Sequence, residues 1–261
     1  MKIIAIIGSY RKGGNTSRIV KMVAEKMQSA ATQLSVPLEF EAIYLGHTNL
    51  RFCRGCRVCF DRGEDKCPLK DDLLALKARV QTADGVIFAT PVYVDDVSGS
   101  MKNWIDRMAH VCHRPEFMGK CAYLLATTGG SPTGHTIRTL GTAASSWGFH
   151  VVGQAGFKTG ALMPQAEIEA RYQERAEKIA YKFIVAIRRK RYYWPGFLSL
   201  MTFRIQQWHY QKKAQDSLDY RYWNSQGWTD PQREFYIQHQ ASRIKVAFAR
   251  LTGSLLARLM V

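Results

Sequence analysis

No uncharged apolar run in this 261-residue sequence approaches the roughly 20 residues that a bilayer-spanning helix requires. A helical membrane anchor is therefore not expected. The opening "MKIIAIIGSY" is too short in its apolar run and breaks at Gly8, so no secretory signal is expected either. These absences predict a reducing, cytoplasmic setting, where clustered cysteines bind metal or do redox work more often than they pair. No G-x-G-x-x-G, no G-K-[ST] and no H-E-x-x-H occurs, which removes the common dinucleotide, nucleotide-triphosphate and zinc-protease signatures. There is no internal repeat and no low-complexity segment.

Acidic residues are scarce. The 21 Asp and Glu face 37 Lys and Arg, a formal net charge of +16. Residues 1–160 hold 20 basic against 13 acidic residues, whereas residues 161–261 hold 17 against 8. This basic C-terminal third is either a solvated face or a surface for an anionic partner: membrane lipid, an acidic protein or, least expected, nucleic acid. An apolar content of 46% is ordinary for a globular chain of a length that buries a full core.

What the sequence does contain is a regular alternation. "KIIAIIG" (2–8) is a short continuous apolar run ending in glycine and reads as a buried parallel strand. Strands are likewise expected at 38–45, 85–90, 120–128 and 149–157. Between and after them, helical periodicity is expected over 15–34, 71–83, 98–111, 133–147 and 165–190. The acidic start at Asp71 and Asp72 suits a helix dipole. Five strands alternating with five helices predict an α/β fold with a doubly wound parallel sheet, whose crossovers are right-handed. Ligands of such sheets bind outside the carboxyl ends of the strands, so the loops after residues 7, 45, 90, 128 and 157 carry the information.

The first of these loops, "GSYRKGGNTS" (8–17), offers hydroxyls at Ser9, Thr16 and Ser17, the Arg11 guanidinium, the Asn15 amide, and free N–H groups at a helix start. That combination suits a phosphate. On its own it reads more readily as a glycine-rich turn with an Asn or Thr cap; its place after the first strand tips it towards the anion.

This loop, a cysteine-rich loop, "ATPVYVDDVSGSMKNWIDR" and "TTGG" follow in the order found in flavodoxin-like proteins. Over about residues 1–185 the chain resembles the NAD(P)H-dependent FMN reductase and iron–sulfur flavoprotein family. The resemblance implies a sheet order of 2-1-3-4-5 and an FMN phosphate held by Ser9, Arg11, Asn15, Thr16 and Ser17. It also implies an isoalloxazine lying along Pro91, Val92 and Tyr93, with Thr128, Gly129 and Gly130 at its other edge. Pro91 stiffens a strand end, and Tyr93 is either an aromatic face for the flavin or a packing residue. Lys102, four residues before Asp106, lies near the flavin or an interface, or simply pairs with that aspartate. An oxidoreductase is expected, taking electrons from NAD(P)H or a reduced carrier and passing them to a small molecule or protein. A homodimer or higher oligomer is expected.

The cysteine loop "CRGCRVCFDRGEDKCP" begins at Cys53. Two residues separate Cys53 from Cys56 and Cys56 from Cys59, and seven separate Cys59 from Cys67. Such a run, with a fourth cysteine closing the cage, suits a cubane cluster. Zinc sites usually draw on two separated knuckles, and here there is only one. The family resemblance implies a [4Fe–4S] cluster, with redox-active thiols and zinc remaining open. Arg51, Arg54, Arg57, Arg62 and Lys66 outnumber Asp61, Glu64 and Asp65 in this stretch. Positive surroundings would raise a cluster's potential or lower a thiol's pKa. Cys112 and Cys121 fall in helix and strand patterns and are expected to pack as small apolar groups.

A flavodoxin-like domain is expected over 1–186 and a basic, aromatic-rich helical extension over 187–261. Pro195 and Gly196 interrupt the preceding helix. "FLSLMTFRIQQW", apolar on several sides and preceded by "RRKR", suits the membrane–water interface. The competing expectation is that these aromatics pack on the sheet domain or on a second subunit. A final amphipathic helix is expected from Arg233 to Met260.

Overall fold

The computed structural model describes residues 1–160, 163–189, 193–212 and 214–259. Lys190 and Arg191 of the expected basic run and Met260 of the expected last helix lie outside the described residues. By their contacts the residues group into two compact units, Met1–Gly55 with Leu69–Arg189, and Cys56–Pro68 with Lys190–Val261.

The first unit is built on β1 (Lys2–Ile7), α1 (Asn15–Gln33) and β2 (Glu39–Tyr44). In the second unit lies the short α2 (Val58–Asp61). The first unit resumes with α3 (Leu73–Thr82), β3 (Gly85–Tyr93), β4 (Asp96–Val97), α4 (Gly99–Arg107), β5 (Cys121–Thr128), α5 (Gly134–Ser146), β6 (His150–Lys158) and α6 (Gln165–Arg188). The parallel strands run β2-β1-β3-β5-β6, which is the expected 2-1-3-4-5 order once the small β4 is set aside. Alternate residues of β1 explain its continuous apolar run. Ile3, Ala5 and Ile7 join a core with α1 and α6, while Ile4 and Ile6 join a second core with α3, α4 and α5. A strand covered by helices on both faces has no polar side to show.

Several boundaries differ from expectation; α4, for one, ends at Arg107 rather than near residue 111. β3 continues past Thr90 through Pro91, Val92 and Tyr93, because Val92 and Tyr93 pair antiparallel with Val97 and Asp96. The turn of this hairpin is Val94-Asp95, both left-handed (φ 49° and 65°), with no glycine or asparagine to announce it. α3 starts at Leu73, with Asp72 at its N-cap position and Asp71 just before it. Asp72 Oδ2 accepts from Asn49 N at 2.7 Å, and Asp71 Oδ1 accepts from Leu73 N at 3.2 Å.

The second unit comprises α2, α7 (Phe197–Lys212), α8 (Leu218–Ser225) and α9 (Arg243–Leu259). Its aromatics make a core of their own, which neither expectation for the extension anticipated. Phe203 stacks on Trp223 at 5.5 Å between centroids and meets Tyr236 edge-on at 4.7 Å. Trp228 Nε1 donates to Tyr236 O at 2.9 Å. The wholly buried Gln207 amide donates to the carbonyls of Trp228, Asp230 and Arg233, satisfying an irregular segment inside an apolar setting. That segment delays α9, which begins at Arg243 rather than Arg233. α7 and α9 approach closely at Gly253, where a Cβ would lie 2.9 Å from Met201 O and 3.0 Å from Arg204 Cβ. No helix among the described residues is long and apolar enough to cross a membrane.

Candidate functional site

The carboxyl ends of β1, β3, β5 and β6 are stitched together by short polar side chains. Ser98 Oγ, just after the hairpin, donates to Gly8 O at 2.6 Å and accepts from Met101 N at 3.3 Å, capping α4. Thr16 and Thr127 share a hydroxyl bond of 2.6 Å. Asn15 Nδ2 donates to Thr159 Oγ1 at 3.0 Å and to Gly160 O at 2.8 Å. Thr136 Oγ1 donates to Asp95 O at 3.2 Å, tying α5 to the hairpin. Gly8 has to lack a side chain, because a Cβ would come within 2.7 Å of Met101 Cβ and Ser98 Oγ.

The expected phosphate loop divides into two kinds of residue. Asn15, Thr16 and Ser17 spend their side chains on protein partners; the Ser17 hydroxyl meets Tyr44 Oη at 2.5 Å. Their backbone amides open α1, which has no side-chain N-cap and no acidic residue in its first turn. Orphan amides at the positive end of a 19-residue helix are the natural seat of an anion. Ser9 is buried and its Oγ accepts from Arg11 N at 3.1 Å, while the Arg11 side chain is exposed at the loop's rim. An FMN phosphate fits this cradle.

The residues expected along a flavin ring lie on two neighbouring strands. Pro91 and Val92 are half-buried, whereas Tyr93 is 58% exposed. Across the sheet edge Thr128 is buried, with its Oγ1 accepting from Gly130 N at 3.2 Å; Gly129 and Gly130 are exposed. Lys102 and Asp106 form an exposed pair at 2.5 Å, of the kind that contributes little to stability.

The cysteines are distributed over both units. Cys53 and Cys56 are exposed, and Cys59 and Cys67 are half-buried. Cys53 belongs to the first unit, and Cys56, Cys59 and Cys67 to the second. Cys53 N donates to Asn103 Oδ1 at 3.2 Å, and Gly55 N lies 3.5 Å from Cys53 Sγ. Asn103 Nδ2 returns bonds to the carbonyls of Leu50 and Arg51. Left-handed backbone at Gly55 and Arg57 provides the tight turns of the run. Within the second unit, Arg57 pairs with Asp61 at 3.2 Å and Lys66 with Asp65 at 2.7 Å. The Lys66 hydrogen bond holds the Asp65 carboxyl below its ordinary range. Cys121 is buried in β5, and Cys112 Sγ sits 3.1 Å from Ser146 Oγ.

The family model for NADPH-dependent FMN reductase matches residues 1–161. The chain belongs to that family. An iron-sulfur flavoprotein of Archaeoglobus fulgidus is 32% identical over 160 residues, covering 59% of this chain and 67% of that protein. An iron-sulfur flavoprotein of Methanocaldococcus jannaschii is 37% identical over 107 residues, 41% of this chain, and the match spans only 51% of that relative. The solved FMN-dependent NADH-azoreductase from Bacillus anthracis, in complex with FMN, superposes with a TM-score of 0.53. That match covers 69% of this chain and 98% of that one at 12% identity, which shows a shared fold. Within this flavodoxin-like reductase domain, sequence reasoning took Ser98 only as a helix start and Asp71 only as a helix-start acid, and missed the bonds that Asn103 and Arg107 make. A serine before a helix is a legible cap signal, but nothing local distinguishes a buried Arg107 from the ordinary basic residue of a last helical turn.

Proposed function

We propose that the protein is an FMN-dependent oxidoreductase that draws electrons from NAD(P)H and relays them through a [4Fe–4S] cluster ligated by Cys53, Cys56, Cys59 and Cys67. The observation that carries the flavin half is the uncapped, acid-free start of α1, flanked by Ser9 and Arg11 and facing the same sheet edge as Tyr93 and Gly129–Gly130. Bound FMN would supply the two-electron chemistry and the cluster a one-electron outlet. The chain's own contribution is positional. The α1 amides neutralise a phosphate, Pro91 to Tyr93 offer an edge for a ring, and Thr128 holds the glycine turn open. The cluster half is supported by the donor chemistry of four thiols at that spacing and by the similarity to two iron-sulfur flavoproteins.

Anaerobic purification followed by absorbance, iron and acid-labile sulfide analysis tests both halves. Flavin, iron and sulfide together are expected, with iron lost and flavin kept in Cys56→Ala. Flavin without iron would overturn the cluster and leave a flavin reductase carrying exposed thiols. NAD(P)H oxidation with a quinone acceptor under anaerobic conditions tests the activity, and its absence with flavin bound would point to an electron carrier.

A further inference from the structure

The second unit has a surface that flavin chemistry does not use. α9 turns Val246, Ala249, Gly253 and Ala257 inward onto α7. Its opposite face carries Ile244, Phe248, Leu251, Leu255 and Leu259, all exposed, with Ile244 and Leu259 at 84% and 83%. Their spacing of three and four residues makes one stripe along the helix. Phe197 packs on Phe248 at 5.6 Å, and next to Phe197 in the chain Leu198 is 68% exposed. An apolar stripe of this length on a folded surface marks something that covers it.

The charges beside the stripe say what. α9 contains Arg243, Lys245, Arg250 and Arg258 and no acidic residue, and α7 contains none either. On the helix wheel Lys245 borders the stripe on one side and Arg258 on the other. Residues 190–261 as a whole hold eleven Lys and Arg against four Asp and Glu. Arg204, on α7 under α9, bonds the neutral Ser254 and Gln207, and burial together with the Arg250 and Arg258 charges lowers its pKa. This face therefore carries positive charge that its own elements do not neutralise. A symmetric contact between two copies would place like charges opposite one another. An anionic lipid surface accepts the leucines and phenylalanine into its acyl boundary and neutralises the flanking cations.

We propose that α9 is an in-plane membrane-binding helix, seating the Ile244–Leu259 stripe in an anionic lipid surface. α7, with its "FLSLMTFRIQQW" sequence, is the helix that α9 covers, so the lipid-facing role passes to its partner. This holds independently of the cofactors.

The full chain is sedimented with vesicles of phosphatidylcholine alone and of equal parts phosphatidylcholine and phosphatidylglycerol, at low and high salt. Binding to the mixed vesicles should exceed that to the neutral ones by about a hundredfold at low salt, given the exposed cations Arg243, Lys245 and Arg258. It should fall with salt and be lost in Ile244→Ser/Leu251→Ser/Leu259→Ser. These side chains are exposed, and unchanged near-ultraviolet dichroism verifies folding. Lys245→Glu/Arg258→Glu should abolish the preference for phosphatidylglycerol. Failure of the unaltered chain to sediment, or sedimentation retained by the triple variant, overturns the proposal. A dimer that the triple substitution dissociates, seen by light scattering, assigns the stripe to a second copy and overturns it too.

Discussion

Arg107 grips Asp71 with both arms of its guanidinium, Nη1 at 2.5 Å from Oδ2 and Nη2 at 3.0 Å from Oδ1, and the two side chains are 2% and 0% exposed. The same Nη1 donates to Arg51 O at 2.7 Å, and Arg51 N donates to Asp71 Oδ2 at 2.9 Å. Arg51 precedes the first cysteine of the loop and Asp71 follows the last. One buried ion pair therefore joins the two stems from which the cysteine run departs.

Removing one member of such a pair strands the other in an apolar setting. Arg107→Ala is expected to cost about 3–5 kcal/mol, and Arg107→Lys to recover only part, because an ammonium lacks the planar fork. Urea denaturation followed by far-ultraviolet dichroism measures both. A loss under about 1 kcal/mol in Arg107→Ala would mean the pair is dispensable.

Acid should weaken the same junction. Burial opposes ionisation of Asp71, but hydrogen bonds from Arg107 and from the Arg51 and Leu73 amides outweigh it and hold the carboxyl below its ordinary range. Its stabilisation is whole above the unfolded aspartate value of about 3.9, and is lost as pH falls through that value towards the lower folded one. Thermal midpoints of the natural chain and of Asp71→Asn, taken from pH 6 down to about 3, should converge as the acid limb is crossed.

An acid at the start of α1 should repel the anion proposed there. Asn15→Asp places a carboxylate beside the orphan amides and forfeits the donations to Thr159 and Gly160. FMN affinity, read by flavin fluorescence, is expected to fall tenfold or more, about 1.4 kcal/mol. Riboflavin binding, which needs no phosphate seat, should change far less.

The hairpin beside Tyr93 stores strain. Val94 is fully exposed and left-handed at φ 49°, a conformation that costs a β-branched residue roughly 1–2 kcal/mol. Val94→Asn/Asp95→Gly supplies the residues such a turn prefers and should raise the melting temperature by a few degrees. If flavin affinity falls at the same time, the strain serves the site.

The alternation of apolar runs and amphipathic segments was enough to predict the sheet and the loops at its carboxyl edge, whereas the strand order came from the resemblance to a known family. Both follow from local chemistry: a strand covered on two faces must be apolar throughout, and a helix start with glycines and hydroxyls exposes its amides. The cysteine spacing was legible for the same reason, since it is a property of contiguous chain. β4 was not, because its turn is Val-Asp, and only pairing between Val92 and Val97 shows that a strand exists.

Tertiary structure alone decided the uses of side chains whose partners are distant in sequence. Asp71 looks like a helix-start acid and Arg107 like a helix-end base; burial across 36 positions turns them into one latch. Thr16 and Ser17 look like phosphate ligands, and only the folded chain shows that their hydroxyls also bond Thr127 and Tyr44. The C-terminal aromatics revealed only that something would be buried. Which helix they covered, and that α9 rather than α7 kept an apolar face exposed, depended on how the segment packed on itself.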